Sequence, residues 1–176
     1  MAHPESSPAP PPRTIPPAPT LPPQYTFRSD KLPSVPEYRH LRAASGLTPM
    51  TEAQSRIVPS GTWYGCHVTY NPTADDDEGP QSNSGKAIAM GRIVSDGAWY
   101  FVIADMAVLP DHQRKGLGDA ILKHLLAYIK ANAPEGDPYV NLLADPPGRK
   151  LYARNGFVEA APKEVGMCLP KDWHLS

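Results

Sequence analysis

Runs of apolar and β-branched residues divide much of this chain into short strands. Aromatic and β-branched residues between Trp63 and Tyr70, and apolar residues between Ala87 and Val94, predict two of them. The apolar run from Tyr100 to Leu109 predicts a third, and Asp96-Gly97 supplies the positive φ angles of a tight hairpin just before it. The pattern therefore predicts three consecutive antiparallel strands in the middle of the chain.

A long amphipathic helix is predicted after the third of these strands. Its apolar residues recur at the spacing of one buried helical stripe: Ile121, Leu122, Leu125, Leu126 and Ile129. A further strand is expected over residues 139–144. Weaker patterns predict a strand over 24–28, a helix from about Pro36 to Gly46 and a short helix over 51–56. This order of elements favours a mixed α/β sheet with flanking helices.

A short glycine-rich turn from Asp111 to Asp119 lies between that strand and the long helix. Gly116, Gly118 and the adjacent Arg114-Lys115 pair stand where several backbone N–H groups and the positive end of the helix dipole can converge on one anion. The turn lacks the Gly-Lys-Ser/Thr ending of a Walker loop and the three spaced glycines of a dinucleotide fingerprint. The sequence therefore predicts a pyrophosphate-binding turn of another kind.

Two motifs carry a resemblance to a known family. The pattern Gln113-x-x-Gly116-x-Gly118 after a strand resembles the acyl-CoA signature of the GNAT superfamily of N-acyltransferases. The segment from Leu151 to Phe157, Leu-Tyr-Ala-Arg-Asn-Gly-Phe, is similar to that superfamily's Leu-Tyr-x-x-x-Gly-Phe motif. The resemblance covers roughly residues 61–169 and looks most like the small-amine branches, those of arylalkylamine and glucosamine-phosphate acetyltransferases.

The resemblance implies an α/β GNAT fold. Its central sheet would be mixed and mostly antiparallel, with six to seven strands, flanking helices and terminal strands after the last helix. The fourth and fifth strands would splay apart and admit the pantetheine arm of acetyl-CoA.

The same resemblance implies which residues contact acetyl-CoA. Backbone amides of the turn would bind the pyrophosphate, an amide just after Asp105 would face the thioester oxygen, and Arg154 would meet the phosphates from the other side. The expected cofactor-binding residues are Met106, Ala107, Val108, Gln113, Arg114, Lys115, Gly116, Leu117, Gly118, Asp119 and Arg154. No metal is expected.

Three residues are candidates for the chemistry and for the acceptor. An alkylamine with a pKa near ~10.4 is almost entirely protonated at pH 7, and Asp105 is the only carboxylate between Trp99 and Leu109 that could orient the ammonium and take its proton. The alternative is a carboxylate that is hydrogen-bonded within the sheet and does no chemistry. Tyr152 is expected to protonate or hydrogen-bond the departing thiolate, with core packing as the alternative. His67 could line the acceptor pocket, although a packed or surface histidine is the commoner case.

The sequence thus predicts an N-acetyltransferase that moves the acetyl group of acetyl-CoA to a primary amine of a small molecule. Direct attack in a ternary complex is expected, with an aromatic or aliphatic amine as acceptor. Two alternatives stay open: a protein or peptide N-acetyltransferase, and a non-catalytic acyl-CoA-binding adaptor that uses its proline-rich tail.

Charge, cysteine spacing and hydropathy argue against several other classes of protein. The net charge of −1 and the absence of a basic stripe give no case for nucleic-acid binding. Cys66 and Cys168 lack the spacing of a zinc site, and the four acids at 75–78 are expected in a solvated hairpin loop. No run approaches 18 apolar residues and no signal peptide is recognised, so we expect no membrane segment and a cytoplasmic protein, with the nucleus left open.

Twelve of the 23 prolines lie in the first 36 residues. Residues 1–23 are therefore predicted to be a proline-rich disordered tail, dispensable for catalysis, in front of a single domain over 24–176. The stretch from Pro8 to Arg13 fits the Pro-x-x-Pro-x-Arg pattern that SH3 domains bind, although a passive tail is commoner. A homodimer is also left open.

Overall fold

The computed structural model describes residues 12–72 and 85–169. Its sheet has five strands in the order β1-β2-β3-β4-β5. The strands are β1 (Tyr25–Arg28), β2 (Tyr64–Tyr70), β3 (Ala87–Ser95), β4 (Tyr100–Val108) and β5 (Tyr139–Asn141). The first four are antiparallel, and β5 joins β4 in parallel. The helices are α1 (Val35–Ala44), α2 (Glu52–Ile57), α3 (Leu117–Asn132) and α4 (Arg149–Arg154).

The sheet separates two layers of helices. On one side α3 packs against β2, β3 and β4, and on the other α1 packs against β3 and β4. The apolar stripe predicted for α3 forms much of the core, since Ile121, Leu122 and Leu125 have no exposed surface. Gly91 of β3 faces this stripe. Because side chains alternate along a strand, Arg92 faces the side of α1.

The two short helices begin where their sequences provide caps. Ser34 and Glu37 form a reciprocal capping box at the start of α1, and Thr51 and Gln54 do the same for α2. These caps determine the residues at which α1 and α2 begin.

The fourth and fifth strands diverge, as expected. They pair only from Tyr100–Tyr139 to Val102–Asn141, although β4 continues to Val108. The distal half of β4 therefore has no strand partner on its β5 side among the described residues.

The expected count of six to seven strands is wrong for the described residues, which form five. The part of the chain that follows α4, as far as residue 169, contains turns and irregular segments instead of terminal strands. Its apolar residues do not pack into a sheet, since Val158, Val165 and Met167 are 70–92% exposed. The strand predicted over 139–144 likewise ends at Asn141.

Residues 12–23, which we name the strap, contact the body of the domain. The backbone N–H of Thr14 donates to Oδ1 of Asn132 at 2.6 Å, and Nδ2 of Asn132 donates to the Thr14 carbonyl at 2.8 Å. The guanidinium of Arg13 lies 4.8 Å from the centre of the Trp63 ring and donates to the Trp63 carbonyl at 2.6 Å. An extended proline-rich segment loses little entropy on docking, which favours such contacts. The disordered tail over residues 1–23 stays a prediction.

The strap runs back along α3 towards its first turn. There it forms one wall of a cleft of about 430 Å³, whose lining includes Pro16, Pro17, Gly116 and Lys123. The boundary at residue 24 stays a prediction, and residues 1–11, with most of the SH3-type motif, lie outside the described residues. So does the acidic run at 75–78. In the parts that are described, no helix is both long enough and apolar enough to cross a bilayer.

Candidate active site

A β-bulge at Asp105 shapes the centre of the site. The register of β3 and β4 shifts between Met90 and Arg92, and Asp105 has a φ of 54°. Aspartate tolerates this left-handed conformation better than most residues, but the conformation is still uncommon outside glycine. The bulge turns the rest of β4 and re-aims the Asp105 side chain.

The bulge is packed tightly against α3. A Cβ atom placed on Gly91 would lie 2.6 Å from Sδ of Met106 and 2.7 Å from Cγ2 of Ile121. A side chain at this position would therefore have to displace Met106 and Ile121. Met106 begins the segment up to Val108, where an amide is expected to face the thioester oxygen.

The Asp105 carboxylate lies in a nearly buried cluster with two arginines and a tyrosine. Oδ2 accepts hydrogen bonds from the Tyr38 hydroxyl and from Nε of Arg92, and Oδ1 accepts from Arg42. The Asp105, Arg42 and Arg92 side chains are only 10–13% exposed. We call Tyr38, Arg42, Arg92 and Asp105 the arginine cluster.

This environment bears on the general-base hypothesis. Burial raises the pKa of the Asp105 carboxyl, but hydrogen bonds from Tyr38 and Arg92, together with the charges of Arg92 and Arg42, outweigh burial and hold that pKa below its usual value. A carboxylate whose two oxygens already accept from cations is a weak base. The geometry favours the hydrogen-bonded alternative, while the role of Asp105 in catalysis stays a prediction.

The predicted phosphate-binding turn lies at the start of α3. Arg114 and Gly116 have φ angles of 60° and 81°, and Gly116 is the N-cap residue. Because glycine has no side chain, the first amides of α3, from Leu117 to Asp119, receive no side-chain cap. Such amides are suited to an anion.

The geometry around Gly118 fits an incoming phosphate. A Cβ atom there would meet only Leu151 and Val108, at the ordinary contact distances of 3.5 and 3.6 Å. The protein itself therefore does not require glycine at this position. A ligand that approaches the backbone closely would require it.

Two predicted side chains of the turn contact the protein itself. Nε2 of Gln113 donates to the Val108 carbonyl at 3.1 Å, which fastens the turn to the end of β4. Nζ of Lys115 donates to the Tyr25 hydroxyl at 3.1 Å. Both residues thus set the shape of the turn.

Asp119 joins the start of α3 to α4. Its Oδ1 accepts from Nδ2 of Asn155 at 2.8 Å and from Nε of Arg154 at 3.1 Å, and its Oδ2 lies 2.8 Å from Nζ of Lys123. Hydrogen bonds from Asn155, Lys123 and Arg154 lower the pKa of Asp119 to about 2. The predicted cofactor residues Asp119 and Arg154 are therefore partners of each other, and the side chain of Arg154 remains 61% exposed.

Tyr152 lies on α4 with its ring against Phe157, at 5.9 Å between centroids. Within residues 12–72 and 85–169 its hydroxyl has no hydrogen-bond partner and is not fully buried. Burial, and then the charge of Asp145, raise the pKa of this hydroxyl, so it stays protonated at neutral pH. It is thus available as a donor.

His67 fits the packed alternative. It is 6% exposed, its Nδ1 lies 2.7 Å from the Lys31 carbonyl, and burial lowers its pKa. The structure does not bring it into hydrogen-bond contact with Asp105.

Sequence reasoning missed the three partners of Asp105. Tyr38 and Arg42 are four residues apart, so they lie on one face of α1, and Arg92 is the only charged residue between Ala87 and Ser95. That lone arginine in an apolar strand was the available signal.

Comparison with known proteins agrees with this geometry. Residues 73–159 match the family model of the acetyltransferase (GNAT) domain. A search of curated proteins by sequence gave no match.

Solved structures extend the comparison over most of the chain. A probable acetyltransferase from meticillin-resistant Staphylococcus aureus is 29% identical, with a TM-score of 0.69 over 83% of this chain and 98% of that one. Glucosamine-6-phosphate N-acetyltransferase from Arabidopsis thaliana is 18% identical, with a TM-score of 0.56 over 84% and 99% of the two chains. Ribosomal-protein-S18-alanine N-acetyltransferase from Escherichia coli is 24% identical, with a TM-score of 0.57 over 77% and 79%.

The proteins from Arabidopsis thaliana and Escherichia coli are similar to this chain in fold alone. The family model, the 29% identical relative and the sheet with its splayed strand pair agree with one another. Residues 73–159, slightly less than half of the chain, therefore resemble the acetyltransferase domain of the GNAT family.

Proposed function

We propose that this protein is an acetyl-CoA-dependent N-acetyltransferase that acts on a primary amine of a small molecule. The observation that carries the proposal is the gap where β4 leaves β5, directly beside the uncapped amides of the Gly116–Asp119 turn. A long ligand with a phosphate at one end and amides along its arm would fit this arrangement.

Acetyl-CoA supplies the activated acetyl group when it is bound. The amides of Leu117, Gly118 and Asp119 bind its pyrophosphate, and the open side of Gly118 permits the close approach. An amide within Met106–Val108, just past the bulge, stabilises the negative charge that develops on the thioester oxygen.

Tyr152 donates its proton, or a hydrogen bond, to the sulfur as the carbon–sulfur bond breaks. Its raised pKa keeps the donor protonated at neutral pH. The bonds from Arg154 and Asn155 to Asp119 hold α4, and with it Tyr152, against the first turn of α3.

Asp105 acts mainly as a positioning residue in this scheme. It holds Arg42 and Arg92 at the centre of the site, and the proton of the attacking amine goes to solvent or to another group. The near burial of these side chains favours a small acceptor over a peptide, which needs an open groove.

A combined binding and turnover measurement tests the proposal. Titration calorimetry measures acetyl-CoA affinity, and release of the CoA thiol is followed over a panel of small primary amines and of peptides with free N-termini. We expect binding, and turnover with small amines. Turnover with peptides alone would favour a protein N-acetyltransferase. Binding of acetyl-CoA without turnover of any amine would favour a non-catalytic adaptor. Absence of acetyl-CoA binding would contradict the proposal.

A further inference from the structure

The arginine cluster carries more positive than negative charge. Arg42 and Arg92 face the single carboxylate of Asp105. Tyr38 adds no negative charge, since burial, then the hydrogen bond to Asp105 and its charge, raise the pKa of its hydroxyl to about 12. One positive charge is left without a counter-charge on groups that are only 10–13% exposed.

The neighbouring carboxylates do not supply that counter-charge. Glu37, the one acid on α1, accepts from the backbone N–H groups of Ser34 and Ala87. Glu52 of α2 pairs with Arg56, and Arg39 lies 3.9 Å from it. Among the residues that the structure describes, neither acid forms an ion pair with Arg42 or Arg92.

The two arginines differ in how many of their guanidinium nitrogens already donate hydrogen bonds. Arg42 donates from Nε and from a terminal nitrogen to the Thr48 carbonyl, at 3.1 and 2.7 Å, in addition to its bond with Asp105. Arg92 donates from Nε to Asp105 and from Nη1 to Oγ1 of Thr62 at 3.3 Å.

Nη2 of Arg92 has no hydrogen-bond partner among residues 12–72 and 85–169. It is not fully buried, because Oγ1 of Thr69 is the one fully buried, unpartnered side-chain polar atom in that part of the chain. Arg92 therefore keeps one terminal nitrogen unpaired in a nearly buried, positively charged setting beside the bulge of β4.

We propose that the acceptor amine carries an anionic group, a carboxylate or a phosphate, which binds the unpaired Nη2 of Arg92. This proposal rests on the proposed function and names its substrate class. The N–H groups of that nitrogen form charge-assisted hydrogen bonds with either anion, and a charge buried this far is stabilised strongly by an opposite charge. It also replaces the aromatic or aliphatic amine favoured by the sequence, because Asp105 is occupied by cations and is not open to attract an ammonium.

Matched pairs of amines test the inference in the wild-type protein. β-Alanine is compared with propylamine, and O-phosphoethanolamine with ethanolamine, by release of the CoA thiol at saturating acetyl-CoA. We expect the anionic member of at least one pair to have a kcat/KM at least about tenfold higher, which corresponds to about 1.4 kcal/mol. The pair with the larger ratio tells whether carboxylate or phosphate is the ligand.

A substitution at Arg92 tests whether this residue causes the preference for the anionic amine. Arg92→Gln should abolish most of that preference, so that kcat/KM for the anionic amine falls about tenfold further than kcat/KM for the neutral amine. Arg56→Gln is the control, since Arg56 is 70% exposed on α2 and should leave both values unchanged. If Arg92→Gln does not fold, inhibition of the wild-type protein by propionate or inorganic phosphate, competitive with the amine, replaces it.

Failure of this inference can be told apart from failure of the proposed function. Equal or better turnover of propylamine and ethanolamine overturns the anionic acceptor and leaves the proposed function standing. Acetyl-CoA binding with none of the four amines acetylated also contradicts the inference, whereas no binding of acetyl-CoA by calorimetry overturns the proposed function itself.

Discussion

Asp119 and Asn155, 36 residues apart in sequence, are joined by a hydrogen bond of 2.8 Å that ties the first turn of α3 to the end of α4. Arg154 adds a second bond to the same carboxylate oxygen. Because Tyr152 lies on the same short helix as Arg154, one carboxylate connects the phosphate-binding turn to the proposed proton donor.

Removal of that carboxylate should loosen α4. We expect Asp119→Ala to lower the free energy of unfolding by roughly 1–2 kcal/mol, because hydrogen bonds to a charged group contribute about 1.5–3 kcal/mol and exposed partners less, and to lower kcat because Tyr152 is no longer held. The control is Lys123→Ala, which removes only a partner that is 66% exposed and should change stability by less than ~0.5 kcal/mol. Thermal melts and steady-state kinetics measure both effects, and equal behaviour of the two variants would contradict the linking role.

The same interaction predicts a pH dependence of stability. The pKa of Asp119 is lowered from 3.8 to about 2, chiefly by hydrogen bonds from Asn155 and Lys123. A lowered pKa means that the ionised form stabilises the fold, so this contribution is complete above the unfolded pKa and is lost as pH falls from about 4 to about 2. The difference in melting temperature between wild type and Asp119→Ala should therefore be constant from pH 5 to 8 and shrink in acid.

The two glycines of the turn should respond differently to substitution. Gly118→Ala should leave the melting temperature unchanged or slightly higher, because its new Cβ meets the protein at ordinary distances, yet acetyl-CoA should bind at least ten times more weakly. Gly116→Ala should also lose stability, by roughly 1 kcal/mol, because Gly116 has a φ of 81°. Calorimetry and thermal melts on both variants test this, and undiminished affinity in Gly118→Ala would rule out close approach of a phosphate there.

Tyr152→Phe removes a hydroxyl that has no partner in the described parts of the chain. We expect the melting temperature to change little and the acetyl-CoA Kd to stay within a few-fold, while kcat falls by roughly 10–100-fold, because the hydroxyl matters most as charge develops on the sulfur. A kcat equal to that of the wild type would show that the thiolate leaves without this donor.

Asp105→Asn should act on stability more than on the pH profile. Loss of the carboxylate leaves Arg42 and Arg92 with no counter-charge and should cost roughly 3–5 kcal/mol, and Asp105→Glu should recover part of it. Since the pKa of Asp105 lies below its ordinary value, the carboxyl is ionised throughout pH 5–9. Any acidic limb of kcat/KM in that range should therefore persist in Asp105→Asn. Disappearance of the limb would restore Asp105 as the general base.

Two truncations test the strap. A chain that begins at Pro12 should melt like the full-length protein. One that begins at Gln24 loses the bonds of Arg13 to Trp63 and of Thr14 to Asn132, and we expect its melting temperature to fall by roughly 5–10 °C, as for a loss of about 2–3 kcal/mol in a domain of this size. If the chains that begin at Pro12 and at Gln24 melt at the same temperature, the strap does not stabilise the domain and is a passive tail.

The parts of the fold that follow from local pattern were predictable. The stripe on α3, the three antiparallel strands and the glycine turn depend on residues close together in sequence, and all are present. The arginine cluster was not predictable, because it joins residues of α1, β3 and β4 that are 13 to 67 positions apart. The contacts of the strap were not predictable either, since composition describes its own residues and not the Trp63 and Asn132 surfaces that they touch.

The short pairing of β4 with β5 has a consequence for motion. Past Val102, the backbone amides and carbonyls on that edge of β4 have no strand partner among the described residues. The Val108 carbonyl accepts from Gln113, and the other groups are left to solvent or a bound molecule for their hydrogen bonds. A ligand with amides along its length would take the place of the missing strand. Amide hydrogen exchange in the distal half of β4 should then be fast in the ligand-free protein and slow with saturating acetyl-CoA, while the half next to β5 exchanges slowly in both.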